Sequence, residues 1–328
     1  MKVELPLAHL TPPDPAAWAT LVGSAEGASV FQTAEWAKLW TGEWRGARWE
    51  AIVHLDPSGG YAGAIGAVVR RRAFYRSVDA MPFATYGGPI VRRGHPDAPK
   101  IRRALLEAFA QWIGGRFVLR SGLSWYEGVP EEMPDGFPFE ESFTHVLPLG
   151  RPFDELAEGF SPSTRRLVRQ AEESGLAIRT ATSEEDLRAY YALVVETVRR
   201  RGGTPKPYSL YQRVLRDLVP AGLARYHLVS HGEENVAGSL HLFHEGSAMN
   251  WLPVSRVSSW HLRPNNFLIA NVLSSLCDAG YLEYNFGASP PDAHGLIRFK
   301  EGWGASRRSV LIAGNRSGLH RRLRASSA

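Results

Sequence analysis

The stretch from Ala224 to Val254, ARYHLVSHGEENVAGSLHLFHEGSAMNWLPV, decides the fold of the second half of the chain. Its apolar and β-branched residues fall into three runs, which are separated by turn residues at Gly232 and at Glu245-Gly246. Strands joined by such short turns usually lie side by side in one sheet. The pattern predicts three consecutive antiparallel strands at Ala224–Ser230, Val236–Phe243 and Ser247–Val254.

The elements around these three strands complete a recognisable order. A helix starts at Ser161-Pro162-Ser163 and ends before Gly175, and another starts at Ser183 and reaches Arg201. The remaining predicted elements are a strand at Leu176–Thr180, helices at Tyr208–Val219 and Asn266–Ala279, and strands at Leu282–Phe286 and Ser309–Ala313. This order of strand, two helices, three strands, helix and two strands is that of the acetyltransferase-type (GNAT) fold.

The first half of the chain gives a rougher copy of the same order. Helices are predicted after the capping residues Asp14 and Thr33 and at Ala98–Ile113. Strands are predicted at Arg48–Leu55, at Tyr61–Arg70, and from Tyr86 to Val91. We therefore expect an α/β protein with a mixed sheet, built from two tandem GNAT-like domains at residues 1–150 and 151–314. The basic tail, residues 315–328, either packs back on the first domain or frays.

The composition is that of a folded protein. The 328 residues are 44% hydrophobic and 22% charged, with a net charge of +5 at pH 7, so there is enough apolar surface to offset chain entropy. The sequence has no run of about 18 apolar residues and no apolar signal-peptide core at its start. The single cysteine, Cys277, excludes an intramolecular disulfide and a multi-cysteine metal site. We expect a cytoplasmic protein with no metal site.

Lysine is rare in this chain, and its positions are therefore informative. Only five of the 38 basic residues are lysines, so arginine supplies nearly every positive charge. Lysine differs from arginine because it is a compact point charge that loses its proton when it is desolvated. Three of the five lysines, Lys38, Lys206 and Lys300, lie within the motifs described next.

Four motifs together carry a resemblance to a known family. They are Phe31-Gln-Thr-Ala-Glu-Trp-Ala-Lys38, Arg200-Arg-Gly-Gly-Thr-Pro-Lys-Pro207 followed by Tyr211-Gln-Arg213, Val236-Ala-Gly-Ser-Leu240, and Tyr284-Asn-Phe-Gly287 followed by Leu296-Ile-Arg-Phe-Lys-Glu-Gly-Trp-Gly304. Their order and spacing resemble the Fem (FemABX-like) family of aminoacyl-tRNA-dependent peptidyl transferases, which build peptidoglycan bridges. Because no pair of long heptad helices interrupts the second domain, the chain resembles the compact members that lack a coiled-coil arm.

The resemblance implies a reaction and its substrates. An amino acid would move from aminoacyl-tRNA, the co-substrate, to the stem-peptide amine of a peptidoglycan precursor that is either UDP-linked or lipid-linked. It implies no bound cofactor, and we expect a monomer. Arg165, Arg166 and Arg169, together with Arg199–Arg201, are predicted to form a basic face for the tRNA acceptor stem. A solvated basic helix face explains the same residues equally well.

The resemblance also assigns roles to residues that bind substrate. In the family, the equivalents of Lys38 and Lys206 hold the diphosphate of the precursor, and two cations that converge on a diphosphate are electrostatically sensible. Thr204 lies in the same Gly-Gly-Thr-Pro loop as Lys206, and Tyr211 and Trp251 are aromatic residues suited to stacking on a base or a sugar. The alternatives are an exposed helix charge at Lys38 and core packing for the aromatic residues.

Lys300 and Phe299 are the predicted catalytic residues, because the resemblance places both near the tRNA end. An aminoacyl ester is already activated, so the site has to orient the reactants and stabilise negative charge on the tetrahedral intermediate. A lysine ammonium supplies that charge. The alternative is an ordinary surface lysine that follows a core phenylalanine.

The base that accepts the proton of the attacking amine is left open by the sequence. Three titratable residues lie near Lys300 in the sequence, namely Asp292, His294 and Glu301. Asn285 stands where relatives often carry aspartate, which weakens any mechanism that needs a carboxylate at that position.

Two competing functions also stay open. The first is a GNAT-fold N-acyltransferase that uses acyl-CoA on a cell-envelope sugar or amine. Against it, the stretch Leu262-Arg263-Pro264-Asn265 lacks the Gly-rich loop whose N–H groups bind the coenzyme A pyrophosphate, and its proline removes one donor. The second is a non-catalytic protein that only binds a partner, and Phe299-Lys300 argues against that function.

Overall fold

The fold was analysed in a computed structural model, which describes residues 5–57, 59–82, 85–115 and 117–314. The chain divides into two compact units: unit 1 comprises the described residues of Met1–Ser142 and Ser309–Ala328, and unit 2 comprises Phe143–Arg308. The sequence predicted the domain boundary near Gly150-Arg151-Pro152. In the structure unit 2 already begins at Phe143, within the strand that precedes these residues. The predicted position of the tail, 315–328, lies outside the described residues.

Unit 1 is a sheet covered by helices. Its helices are α1 (Pro15–Ser24), α2 (Ala34–Glu43) and α3 (Ala98–Ile113), and its strands are β1 (Leu7–Leu10), β2 (Ala25–Glu26), β3 (Ala47–Leu55), β4 (Tyr61–Arg71), β5 (Arg76–Ala80), β6 (Ile90–Arg92) and β7 (Val118–Tyr126). The strand order is β1-β3-β4-β5-β7, and β7 then pairs with the end of β14 (Ser306–Ala313). Only β5 and β7 are parallel among these neighbours, because α3 forms the crossover between them.

The helix starts of unit 1 follow the predicted capping chemistry. Asp14 Oδ1 accepts a hydrogen bond from Ala17 N at 2.8 Å, and Thr33 Oγ1 accepts one from Trp36 N at 3.2 Å. Each oxygen thereby satisfies an N–H group that has no partner inside its helix. Both predicted caps are confirmed.

Unit 2 repeats this plan. It contains the end of β8 (Phe139–Pro148), then α4 (Phe153–Glu158), α5 (Pro162–Glu172), β9 (Leu176–Ala181), α6 (Glu184–Arg200), α7 (Tyr208–Arg213), β10 (Ala224–His231), β11 (Glu234–His244), β12 (Ser247–Ser255), α8 (Pro264–Asp278), β13 (Glu283–Ala288) and α9 (His294–Glu301). The strand order is β9-β10-β11-β12-β13-β8. Again a single pair, β12 with β13, is parallel, and α8 forms its crossover. The predicted fold class, two tandem GNAT-like domains without a coiled-coil arm, is confirmed.

Gly238 explains one of the four motifs by close packing. A Cβ at this position on β11 would lie 2.7 Å from the carbonyl oxygen of His227 and 3.0 Å from Tyr190 Cδ2. Tyr190 is a fully buried residue of α6. Glycine is therefore needed for α6 to lie this close to the centre of the sheet.

Three predicted elements differ from the structure. The strand expected from Tyr86 to Val91 is regular only at Ile90–Arg92, and the helix expected at Tyr208–Val219 changes to a π-helical turn at Val214–Leu218. No helix was predicted between Phe286 and Ser309, whereas α9 begins at His294. This last difference determines where Lys300 lies.

Candidate active site

The parallel strands β12 and β13 separate part-way along their length. Their pairing runs from Ser247 opposite Glu283 to Met249 opposite Asn285. β12 then continues to Ser255 and β13 to Ala288, although every residue of both strands is described. Beyond Met249, the edge of β12 that faces β13 is thus left without a paired strand, while its other edge stays paired with β11. Unpaired backbone groups are unusual in a sheet interior.

Lys300 lies at the carboxyl end of β13. Its side chain is 5% exposed, and Nζ donates hydrogen bonds to the carbonyl oxygens of Gly287 at 2.6 Å and Ala288 at 3.0 Å. Helix α9 directs it there, since Ile297 and Lys300 are its two buried residues and lie one turn apart. Gly287, at φ +77, has the left-handed conformation that glycine adopts most readily.

Burial makes the charge on Lys300 conditional. Desolvation lowers the pKa of the Lys300 amine to about 8, because a buried ammonium loses most of its hydration. The two carbonyl oxygens favour the charged form and fix its direction. Near neutral pH the residue is therefore an oriented ammonium close to its titration point, suited to donating a hydrogen bond to developing negative charge.

Asn285 braces the end of β13 beside this lysine. Its Oδ1 accepts hydrogen bonds from Gly287 N at 2.8 Å and from Thr144 Oγ1 at 2.6 Å, and the residue is 3% exposed. Thr144 belongs to β8, the antiparallel neighbour of β13. Asn285 therefore holds the left-handed bend whose carbonyl oxygens hold Lys300.

His145 is a buried residue of this region that the sequence analysis missed. It is fully buried, both ring nitrogens lack a hydrogen-bond partner, and Nε2 lies 3.9 Å from Glu301 Oε1. Burial, and after it the charge of Lys300, lowers the pKa of the His145 ring. In the sequence it stands out only as a histidine in a mostly apolar stretch, between Phe143 and the run Val146–Leu149. Of the three candidate bases, Glu301 alone contacts His145 within the described residues.

Phe299 packs against other side chains of unit 2. The side chain is partly buried against the core of unit 2, and its ring centroid lies 6.3 Å from that of Trp303 in an edge-to-face arrangement. Lys300 and Phe299 thus point into different surroundings from the same helix.

Tyr284, from the same motif, belongs to a buried polar chain beneath the sheet. Its hydroxyl lies 3.0 Å from His241 Nε2, and His241 Nδ1 lies 3.1 Å from His227 Nδ1. Burial lowers the pKa of both histidines, that of His227 to about 4. The two rings are therefore neutral at physiological pH and act as hydrogen-bonding members of the core.

Lys206 and Trp251 form a second cluster in unit 2. Lys206 Nζ lies 5.2 Å from the centroid of the Trp251 ring, within cation–π range. The loop carrying Lys206 is held by Tyr191, whose hydroxyl donates to the Lys206 carbonyl oxygen at 2.9 Å. Burial lowers the pKa of the Lys206 amine. Thr204 is exposed two residues earlier. The structure thus brings two of the predicted binding residues, Lys206 and Trp251, together.

Tyr211 occupies a core position. Its side chain is 1% exposed, and its ring packs against those of Tyr190 and Tyr191. Its backbone oxygen accepts a hydrogen bond from Tyr226 at 3.1 Å. This burial favours a supporting role, in which Tyr211 positions Tyr191 and thereby the loop of Lys206, over the direct substrate contact expected from the sequence.

Lys38 belongs to unit 1. It is the exposed residue on the central turn of α2, between the buried residues Ala37 and Leu39. The helix packs by its tryptophans, Trp36 and Trp40, which are buried. Lys38 thus contributes charge at the surface of unit 1 and no packing.

Backbone donors before α8 are largely used within the protein. Arg263, at φ 58, accepts hydrogen bonds on its carbonyl oxygen from Asn266 N and Phe267 N, and its own N–H donates to Trp260 O. Leu262 N donates to Ser259 O, and Pro264 has no N–H group. A pyrophosphate at this helix start would find few of the donors that such sites use.

The predicted basic face on unit 2 is partly structural. Arg165 Nη1 donates to the carbonyl oxygens of Glu158 and Phe160 at 2.8 and 2.7 Å, and so caps the end of α4. Arg200 lies over the Trp260 ring at 5.0 Å. The remaining four arginines, Arg166, Arg169, Arg199 and Arg201, are exposed.

Comparison with known proteins places the fold in a class. The family described as "Acetyltransferase (GNAT) domain" matches residues 160–301, whereas no curated protein matches. The structure of FemX has a TM-score of 0.68 at 14% identity, with 94% of this chain and 97% of that chain covered. For L-PGS from Bacillus licheniformis the TM-score is 0.56 at 15% identity, with 97% and 95% covered. A tandem GNAT protein from the clavulanic acid biosynthesis pathway gives 0.54 at 14% identity, with 95% and 99% covered.

The match to an acetyltransferase (GNAT) domain supports a transferase of the acyltransferase class. At these identities the structural likenesses show the tandem GNAT-like fold alone, and the domain match covers the unit that holds Lys300 and Lys206. No helix in the described ranges combines the length and the apolar character needed to cross a membrane.

Proposed function

We propose that this protein transfers an amino acid from aminoacyl-tRNA to the stem-peptide amine of a peptidoglycan precursor. One observation carries the proposal: the buried ammonium of Lys300, which Gly287 and Ala288 direct at 2.6 and 3.0 Å beside the separated ends of β12 and β13. Such a group is oriented before the reaction, so it stabilises developing charge without reorganisation. The resemblance of the Phe299-Lys300 motif to the Fem family supplies the substrate class.

The proposed reaction is a single acyl transfer. The amine nitrogen of the stem peptide attacks the ester carbonyl carbon, a C–N bond forms, and the ester C–O bond to the ribose breaks. The amine loses a proton and the ribose oxygen gains one. In this scheme Lys300 stabilises the oxyanion and passes a proton to the leaving ribose oxygen, and the proton that the amine loses restores the Lys300 ammonium.

Lys206, Thr204 and Trp251 are proposed to bind the precursor. A cation held against an aromatic ring offers one charged and one flat apolar surface, which suits a phosphate next to a sugar or base. Lys38, which belongs to unit 1, is also proposed to bind phosphate. The reaction would take place in the cytoplasm, where aminoacyl-tRNA is found, and would need no bound cofactor.

An N-acyltransferase that uses acyl-CoA is the second candidate. The match to an acetyltransferase (GNAT) domain over residues 160–301 favours it. The donors already used around Arg263 and the missing N–H of Pro264 argue against it.

A donor assay tests the proposal. The protein is incubated with a nucleotide-linked pentapeptide and either tRNA charged with a radiolabelled amino acid or radiolabelled acetyl-CoA. We expect label to move from tRNA only, and acetyl-CoA to bind weakly in calorimetry. Transfer from acetyl-CoA, or a dissociation constant for it in the low micromolar range, would overturn the choice of donor.

A further inference from the structure

The turn of the β4–β5 hairpin in unit 1 carries an exposed aromatic residue. β4 ends at Arg71 and β5 begins at Arg76, and Arg72 N donates to Tyr75 O at 2.8 Å to close the turn. Phe74 lies in this turn and is 78% exposed. No other large hydrophobic residue of the described ranges is as exposed.

Two more apolar side chains are exposed next to this turn. Arg76 N donates to Phe117 O at 2.7 Å, which places the start of β7 beside the hairpin. Phe117 is 58% exposed and Leu119 is 38% exposed. We call Phe74, Phe117 and Leu119 the apolar tip of unit 1. Exposed apolar patches of this kind mark binding surfaces.

Arginines flank Phe74 on both sides of the hairpin turn. The hairpin segment reads Arg70-Arg-Arg-Ala-Phe-Tyr-Arg76 and contains no acidic residue. Arg71 lies directly opposite Arg76 in the antiparallel pair, and like charges at opposite positions destabilise a hairpin. Folding alone does not explain this arrangement, since a single acidic residue would relieve the repulsion.

We propose that the apolar tip and its arginines bind the surface of a phospholipid bilayer that contains anionic lipid. Aromatic side chains favour the boundary between headgroups and acyl chains. Arginines held at that depth pair with lipid phosphates and are attracted by the negative surface potential. Phe74 and Phe117 enter the boundary layer, while Arg71, Arg72 and Arg76 contact phosphates. This binding is independent of the proposed transfer reaction.

A bilayer fits this surface better than a nucleic acid does. Contacts to a folded RNA stem are made mostly to phosphates and sugars, and they leave an apolar tip exposed. Stacking on unpaired bases requires flat rings, so it has no use for Leu119. An acyl-chain boundary accepts both aromatic rings and an aliphatic side chain.

Vesicle co-sedimentation of the full chain tests the proposal. The vesicles are phosphatidylcholine with or without phosphatidylglycerol, and the measured quantity is the partition coefficient at several salt concentrations. We expect binding only to the anionic vesicles. The double variant Phe74→Ser, Phe117→Ser should lower the partition coefficient at least about tenfold, since two large apolar side chains no longer leave water. Arg71→Gln and Arg72→Gln should each lower it about fivefold and weaken its salt dependence.

Matched controls come from unit 2. Leu282 is 65% exposed and Arg188 has a side chain 71% exposed. Leu282→Ser therefore removes an exposed apolar side chain, and Arg188→Gln an exposed positive charge, outside unit 1. Both should bind vesicles like the unmodified protein, and no variant should have a lower melting temperature.

The proposal is overturned by any of three results. These are no binding of the unmodified protein to anionic vesicles, binding that is indifferent to the Phe74 and Phe117 changes, and equal loss in the controls. Loss of tRNA binding with vesicle binding intact would assign the surface to nucleic acid instead. The transfer assay uses a soluble, nucleotide-linked acceptor and needs no vesicle. Failure of the transfer assay would therefore not change the conclusion from vesicle binding.

Discussion

Lys300 illustrates how a single residue is tuned by its position. Its burial lowers the pKa to about 8, while two carbonyl oxygens hold the ammonium in one direction. Desolvation opposes the charge and the hydrogen bonds support it. The result is a group whose charge is present at neutral pH and is lost at mildly alkaline pH, so its role is accessible to titration.

The pH dependence of transfer follows from this shift. Because the pKa of Lys300 is lowered from 10.5 to about 8, the ammonium predominates below pH 8 and the neutral amine above it. If the ammonium stabilises the oxyanion, the single-turnover rate should decrease as the pH rises through about 8. In Lys300→Arg the charge persists, so this decrease should disappear. A rate that instead rises through pH 8 in the unmodified protein would assign Lys300 the role of a base.

Asn285 should contribute to stability through the bend that holds Lys300. Asn285→Ala leaves Gly287 N–H and the Thr144 hydroxyl without their acceptor, which costs about 1–3 kcal/mol per buried group. Urea unfolding measures the change in the free energy of unfolding. Thr144→Val tests the same bond from the other side, and the two changes should be less than additive in a double-mutant cycle. Thr144→Ser, which keeps the hydroxyl, is the control; full additivity would show that the bond contributes nothing.

At the scale of elements, the loop between α6 and α7 shows how backbone support positions a side chain. Tyr191 on α6 donates to the Lys206 carbonyl oxygen, and the ring of Tyr191 rests on that of the buried Tyr211. The charged end of Lys206 is then placed over Trp251 of β12. A loop held in this way offers a cation with little conformational freedom left to lose on binding.

Binding of a diphosphate-linked precursor should depend on this loop. Lys206→Ala should raise the dissociation constant by the loss of one charge-assisted hydrogen bond, about 1.5–3 kcal/mol, in calorimetry. Tyr191→Phe should give a smaller increase, because the lysine remains and only its support is lost. Lys38→Ala makes the same measurement for unit 1. Lys100 is paired with Asp97 at 2.7 Å on an exposed face, so Lys100→Ala is the control. An equal increase of the dissociation constant in Lys100→Ala would show that all these changes reflect the loss of net charge alone.

Local chemistry explains which elements the sequence predicted. Asp14 and Thr33 are confirmed as caps, because a capping oxygen acts within three residues. α9 was missed because Pro290-Pro291 and Gly295 are typical of loops, yet its buried face of Ile297 and Lys300 packs in the folded chain. His145 was missed as a site residue, since its environment is made by residues distant in sequence, Lys300 and Glu301.

At the scale of the molecule, each unit contains one parallel strand pair joined through a helix, β5 with β7 and β12 with β13. The order of elements along the sequence predicted this tandem arrangement, since the order follows from periodicity and turns. The separation of β12 from β13 was beyond the sequence, because it depends on strand register. Among the residues that the structure describes, only unit 2 has a buried lysine at the end of its parallel pair, so the proposed chemistry is assigned to unit 2.

The measurement that tests the account most directly is the single-turnover rate of Lys300→Ala with charged tRNA and a nucleotide-linked pentapeptide. We expect a rate lower by about 10²–10³, as for loss of one oriented oxyanion donor, with nearly unchanged substrate affinity. Lys300→Arg should recover part of the rate. Phe299→Leu, which keeps apolar volume against Trp303, should lose less, and melting temperatures check that each variant folds. Transfer by folded Lys300→Ala at the unmodified rate would contradict the account.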